Sequence, residues 1–103
     1  SKYHAKPCVI DDTRFASLAE GRRYVELKRL QAAGHISHLE LQPSYPLIVD
    51  GVKVATYRGD FRYRNAEGDS VCEDVKGMLT PVYRLKKKLM LALYGIEIRE
   101  VRA

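Results

Sequence analysis

The chain has only two cysteines, four prolines and seven glycines among 103 residues. With 46% apolar and 30% charged residues, that scarcity excludes a disordered or low-complexity chain and describes one able to fold. Two cysteines make no disulfide framework, so Cys8 and Cys72 read as free thiols. No apolar run approaches the roughly 20 residues of a membrane span. The opening SKYHAKPCVIDD lacks the apolar core of a signal peptide, which predicts a cytoplasmic protein. No repeat, linker or compositional break divides the sequence. A single domain over residues 1–103 is therefore expected, with an extended arm over about residues 1–12.

Positive charge is in surplus. Eighteen Lys and Arg against thirteen Asp and Glu give a formal charge of +5 and a pI near 9.3. Such a balance favours a polyanionic partner, nucleic acid above all, although a plain solvated surface carries it equally well.

The periodicities alternate between helix and strand. Ser17 and Glu20 form an S-x-x-E capping pattern, predicting a helix from about 17 to 33 that ends at Gly34. HISHLELQ and YPLIV read as extended runs, and Asp50-Gly51 marks a turn into the strand VKVATYRGDFRYR. NAEGD is a second turn, leading into the strand SVCEDVKG. Thr80 and Pro81 then open a second helix, with Val82, Leu85, Leu89 and Ala92/Leu93 as its expected apolar stripe and Gly95 as its end. IEIREVR supplies a last strand. The order predicts an α/β fold with a crossover through the second helix.

Alternation within SVCEDVKG points Asp74 and Lys76 to one face and Val75 to the other. A three-residue loop centred on Glu67 would set Asp60 directly opposite Asp74. Like charges in that arrangement call for a cation, either Lys76 or a divalent metal. Glu20 starts the first helix's core-facing stripe with Tyr24 and Leu27. It is either the acid of the capping box or a third carboxylate for the same site. Such a set suits phosphodiester hydrolysis. Asp60 and Asp74 would hold Mg²⁺ with the Val75 carbonyl as an extra ligand, Lys76 would orient the attacking water, and Glu20 would bind the same metal or a second one.

Asp60, then EDVKG with Asp74-x-Lys76, in the order αβββαβ with an acid in the preceding helix, resembles the PD-(D/E)XK nuclease superfamily, which includes Holliday-junction resolvases and restriction-type endonucleases. The blocks RFASLAEGRRY, LELQP, GDFRY, EDVKG and TPVYRLKKKLMLALYGIEIREV look like a small phage and prophage family placed there. The resemblance implies a restriction endonuclease-like core, a central mixed sheet flanked by helices. It also implies Mg²⁺ (with Mn²⁺ substituting), DNA as substrate, including branched or junction DNA in phage recombination or replication, and a homodimer in a bacterial host cell. Carried over, Asp60 and Asp74 are metal ligands, Lys76 the catalytic lysine and Glu20 the helix acid. Gln42 matches without a defined role. Gly59 stands where the superfamily's name has proline, and Glu73 is a rival ligand to Asp74.

Basic residues flank these acids. Arg22 and Arg23 on the first helix, Arg62 beside Asp60, and Arg84, Lys86, Lys87 and Lys88 on the second helix are either solvated surface or phosphate contacts. A basic domain that grips nucleic acid without cutting it is the alternative function. His4-x3-Cys8 and His35-x2-His38 have zinc-ligand types, but neither spacing is a zinc signature.

Overall fold

The computed structural model describes residues 6–76 and 78–102, and both helices begin at the caps the sequence marks. Helix α1 spans Leu18–Ala32, and the Ser17 hydroxyl accepts the Glu20 N–H at 3.2 Å. Helix α2 spans Pro81–Tyr94, and the Thr80 hydroxyl accepts the Tyr83 N–H at 3.1 Å. Gly95 ends α2 in the left-handed conformation, φ 68°, with its N–H on the Leu91 carbonyl.

Around them lies a mixed α/β arrangement. Strands β1 (Cys8–Ile10) and β2 (Thr13–Phe15) form a small antiparallel hairpin. This corrects the expected extended arm from Cys8 onward: Asp11 and Asp12 take φ of 51° and 62°, the mirror-image turn that closes a tight hairpin. Residues 1–5 of that arm, with His4, lie outside the described residues. Strands β3 (Ser37–Leu41), β6 (Phe61–Arg64), β7 (Ser70–Lys76) and β8 (Arg99–Arg102) form the main sheet in the order β3-β6-β7-β8. Its pairs are antiparallel except β7 with β8, which run parallel and are joined through α2. Strands β4 (Ser44–Val49) and β5 (Val52–Arg58) form a separate hairpin across the Asp50-Gly51 turn.

The expected strand over residues 52–64 is thus two strands in two sheets. The break falls at Gly59 and Asp60. Gly59 donates its N–H to the Pro43 carbonyl at 2.9 Å, and Asp60 donates to the Glu73 carbonyl at 3.0 Å. A Cβ on Gly59 would stand 2.9 Å from the Cys72 sulfur, so the passage between the sheets requires glycine.

Each face of the main sheet has its own core. Phe15, Tyr24, Leu27, Phe61 and Tyr63 pack together under α1 and the β1–β2 hairpin. On the opposite face, Tyr45, Leu47, Tyr57, Cys72, Tyr83, Met90 and Ile98 join the β4–β5 hairpin, α2 and the sheet. Of the apolar stripe expected on α2 only Leu89 packs, half-buried, against the core; Val82 is 63% and Leu85 59% exposed, Ala92 and Leu93 are exposed, and Tyr83 and Met90 are the buried residues. The helix carries apolar side chains on two faces. The face with the larger Tyr83 fills the space over the sheet and brings its hydroxyl 2.8 Å from Glu100.

Candidate active site

The hairpin of β6 and β7 sets the geometry. Phe61 pairs with Glu73, Arg62 with Cys72, Tyr63 with Val71 and Arg64 with Ser70. Beyond them the Asn65 N–H reaches the Asp69 carbonyl at 2.9 Å. The Asn65 side-chain oxygen accepts the N–H groups of Glu67 and Asp69, and Gly68 supplies the φ of 86° that the turn needs. The paired register ends at Phe61 and Glu73; just before it the Asp60 N–H is on the Glu73 carbonyl at 3.0 Å, so Asp60 sits at an irregular end of the ladder and not, as expected, directly opposite Asp74. Asp60 lies just before β6, where its Oδ2 accepts the Val75 N–H at 2.6 Å. Because N–H and C=O of one strand residue leave on the same side, the Val75 carbonyl is directed to that edge as well.

Asp74 is nearly enclosed, 4% exposed. Lys76 lies on its face with Nζ 3.3 Å from Oδ1, and the Tyr57 hydroxyl donates to Oδ2 at 2.6 Å. The Lys76 ammonium also sits 4.0 Å from the centre of the Tyr83 ring, a cation–π contact that limits where it can swing. Burial pushes the Asp60 carboxyl up to about 7, and the neighbouring carboxylates of Asp74 and Glu20 add to the shift against the opposing Val75 N–H. Burial also raises Glu20, with Asp74 adding and the Ala16 N–H and Lys76 opposing. The Tyr57 hydroxyl is raised by burial and by Asp74, so it remains a donor.

Glu20 and Asp60 share a cleft of about 190 Å³ with Thr13, Arg14, Leu41 and Gln42. Gln42 has φ 51° and donates its backbone N–H to the Asp60 carbonyl at 2.9 Å, which places it at the cleft wall. The Glu20 carboxylate accepts the Ala16 N–H at 3.1 Å, one residue before the cap, so it serves the helix start and faces the acids at once.

Several expected residues lie elsewhere. Glu73 points to the α1 face, fully buried, where Arg23 grips it with paired bonds of 2.8 and 2.7 Å and the Tyr63 hydroxyl donates to it. Strand alternation therefore removes Glu73 as a rival ligand. The same pair withdraws Arg23 from phosphate, since its guanidinium is committed across the core. Arg62 is held by Glu40 at 2.5 and 3.2 Å, and Lys87 by Glu100 at 3.0 Å. Arg22, Arg84 and Lys88 are exposed, and Lys86 is half-buried. His35 and His38 are exposed, and among the described residues the His38 ring hydrogen-bonds only to the adjacent Ser37.

Among the described residues no three acids, histidines or cysteines form a ready metal cage. Glu20 accepts the Ala16 N–H while lining the same cleft as Asp60. The donor chemistry fits Mg²⁺ nonetheless: that ion is usually held by one or two carboxylates and keeps several waters, and Asp60 with Asp74 is such a pair. Two residues of the site escaped the sequence reading. Tyr57 reaches Asp74 from another sheet, and Arg14 lines the acid cleft from β2. Tyr57 lies outside the matching blocks, and Arg14, although it opens the block RFASLAEGRRY, carries no role there.

Among the described residues no helix is long and apolar enough to cross a membrane. A family model described as "Protein of unknown function (DUF1064)" matches residues 1–102. No curated protein and no solved structure matches the chain.

Proposed function

Because the chain belongs to the DUF1064 family, whose description leaves function open, we propose from the site itself that it is a Mg²⁺-dependent endonuclease hydrolysing DNA phosphodiester bonds. In this reading it is a PD-(D/E)XK-type nuclease of phage or prophage origin, working in the bacterial cytoplasm on branched or junction DNA. The observation that carries the proposal is the buried Asp60 set against Asp74, with Lys76 3.3 Å from the latter. Two carboxylates so placed repel until a proton or a cation joins them.

Asp60 and Asp74 would hold the ion, with the Val75 carbonyl at the same edge. Bound there, Mg²⁺ would polarise the phosphoryl oxygen and lower the pKa of a water. Lys76, restrained by Asp74 and the Tyr83 ring, would orient that water and offset charge on the phosphate. Glu20 would add a third negative group to the cleft. Arg22, Arg84, Lys86 and Lys88 would contact the DNA backbone, giving binding that weakens steeply with salt.

A second reading has one observation in its favour: both oxygens of Asp74 already have partners, Lys76 and Tyr57, as in a basic domain that binds nucleic acid without cutting it. Incubation with single-stranded, duplex, flap and four-way DNA separates the two. The nuclease cuts at least one of them with Mg²⁺ or Mn²⁺, and Asp74→Ala and Lys76→Ala abolish the cutting. Binding without cleavage, or variants that cut like wild type, would overturn the proposal in favour of the binding domain.

A further inference from the structure

We infer that Tyr57 is a positioning residue, whose hydroxyl fixes the Asp74 carboxylate so that one oxygen stays presented to the metal site; this rests on the metal-dependent reading above. Tyr57 belongs to the β4–β5 hairpin, which among the described residues shares no ladder with the main sheet, yet its side chain crosses to β7. It is 2% exposed and Asp74 4%, so little water competes for the bond between them. A hydroxyl donating to a carboxylate at 2.6 Å in such surroundings is charge-assisted and strong.

The bond also selects between the two carboxylate oxygens. Terminal carboxylate torsions are broad and nearly two-fold, so an unrestrained aspartate exchanges them readily. Tyr57 occupies Oδ2, which leaves Oδ1 on the side of Lys76. The tyrosine ring is itself held, opposite Tyr45 in the hairpin register and stacked on it at 6.3 Å between centroids. The donor is thus in place before any ligand arrives. Hydrogen-bond partners of metal ligands typically contribute about 10- to 100-fold in metal affinity.

The molecule contains its own control. Tyr63 is 4% exposed and also donates to a buried carboxylate, Glu73, but on the opposite face of β7 and beside Arg23. Tyr57→Phe and Tyr63→Phe each delete one buried hydroxyl donated to an acid and retain the ring.

The test is Mn²⁺ binding, read from the electron paramagnetic resonance signal of the free ion, with thermal melting alongside to establish that each variant is folded at the titration temperature. Tyr57→Phe should bind Mn²⁺ about 10- to 100-fold more weakly than wild type, while Tyr63→Phe binds like wild type whatever its melting temperature. Wild-type affinity in Tyr57→Phe, or an equal loss in Tyr63→Phe, overturns the positioning role and leaves the metal site standing. A wild-type protein that takes up no Mn²⁺ overturns the metal-dependent reading and the role of Tyr57 with it.

Discussion

Asp60→Asn probes the electrostatics of the acid pair without any substrate. The Asp60 carboxyl is raised from its ordinary 3.8 to about 7, so across that interval the folded chain holds a proton that the unfolded chain has released. Stability from this group is therefore fully present below about pH 4 and is lost as pH rises through about 7. At about 1.36 kcal/mol per pK unit the gap corresponds to at most about 4 kcal/mol, and about 2 kcal/mol is a fairer figure once solvent screening is allowed for. Asparagine keeps an oxygen to accept the Val75 N–H and never ionises. Urea unfolding with a chelator present, at several pH values from about 4 to 8, should show wild type and variant equal at the acid end. At the alkaline end the variant should be more stable by about 2 to 4 kcal/mol. Added Mg²⁺ should then stabilise the wild type alone. Parallel pH profiles for the two proteins would refute the claim that Asp60 is held against its charge.

Three further substitutions test other parts of the arrangement. Glu73→Gln should cost about 3 to 5 kcal/mol in urea unfolding, because it leaves the Arg23 guanidinium without its carboxylate in the core; a loss below about 1 kcal/mol would show that the pair does not anchor α1. Gly59→Ala should cost about 1 to 3 kcal/mol through its contact with the Cys72 sulfur, and a double-mutant cycle with Cys72→Ala should recover part of it; strict additivity would rule out that contact. Lys76→Met should lower cleavage by about 100-fold or more while Mn²⁺ binding persists, and equal loss of both would assign Lys76 to metal binding.

The parts of the fold legible in the sequence were those written in local chemistry. Ser17, Thr80 and Gly95 mark helix ends because caps act over three or four residues, and the β6–β7 register follows from the length of the turn around Glu67. Alternation alone separated Asp74 from Glu73. The break at Gly59 was hidden because residues on both sides of it continue a strand pattern, and the Cys72 sulfur that leaves no room for a side chain there lies in another strand. The buried face of α2 was misjudged because Val82 and Leu85 keep helical spacing as well as Tyr83 and Met90 do, and only the shape of the opposing layer chooses between them. Tyr57 meets Asp74 through folding of one hairpin over a separate sheet, a contact that no local pattern encodes.

The turn held by Asn65 works as a ruler for a site it does not touch. Every residue added to or removed from it would slide β6 along β7, and a slide of one position would exchange the partners of every side chain on the ladder. Asp60 would then lose the Val75 N–H that its carboxylate accepts. The Asp50-Gly51 turn sets a second register, that of Tyr45 opposite Tyr57, and through it the place of the hydroxyl that reaches Asp74. Two loops of similar appearance thus reach one site by different routes: one sets the strand that carries Asp74, the other the tyrosine that holds it.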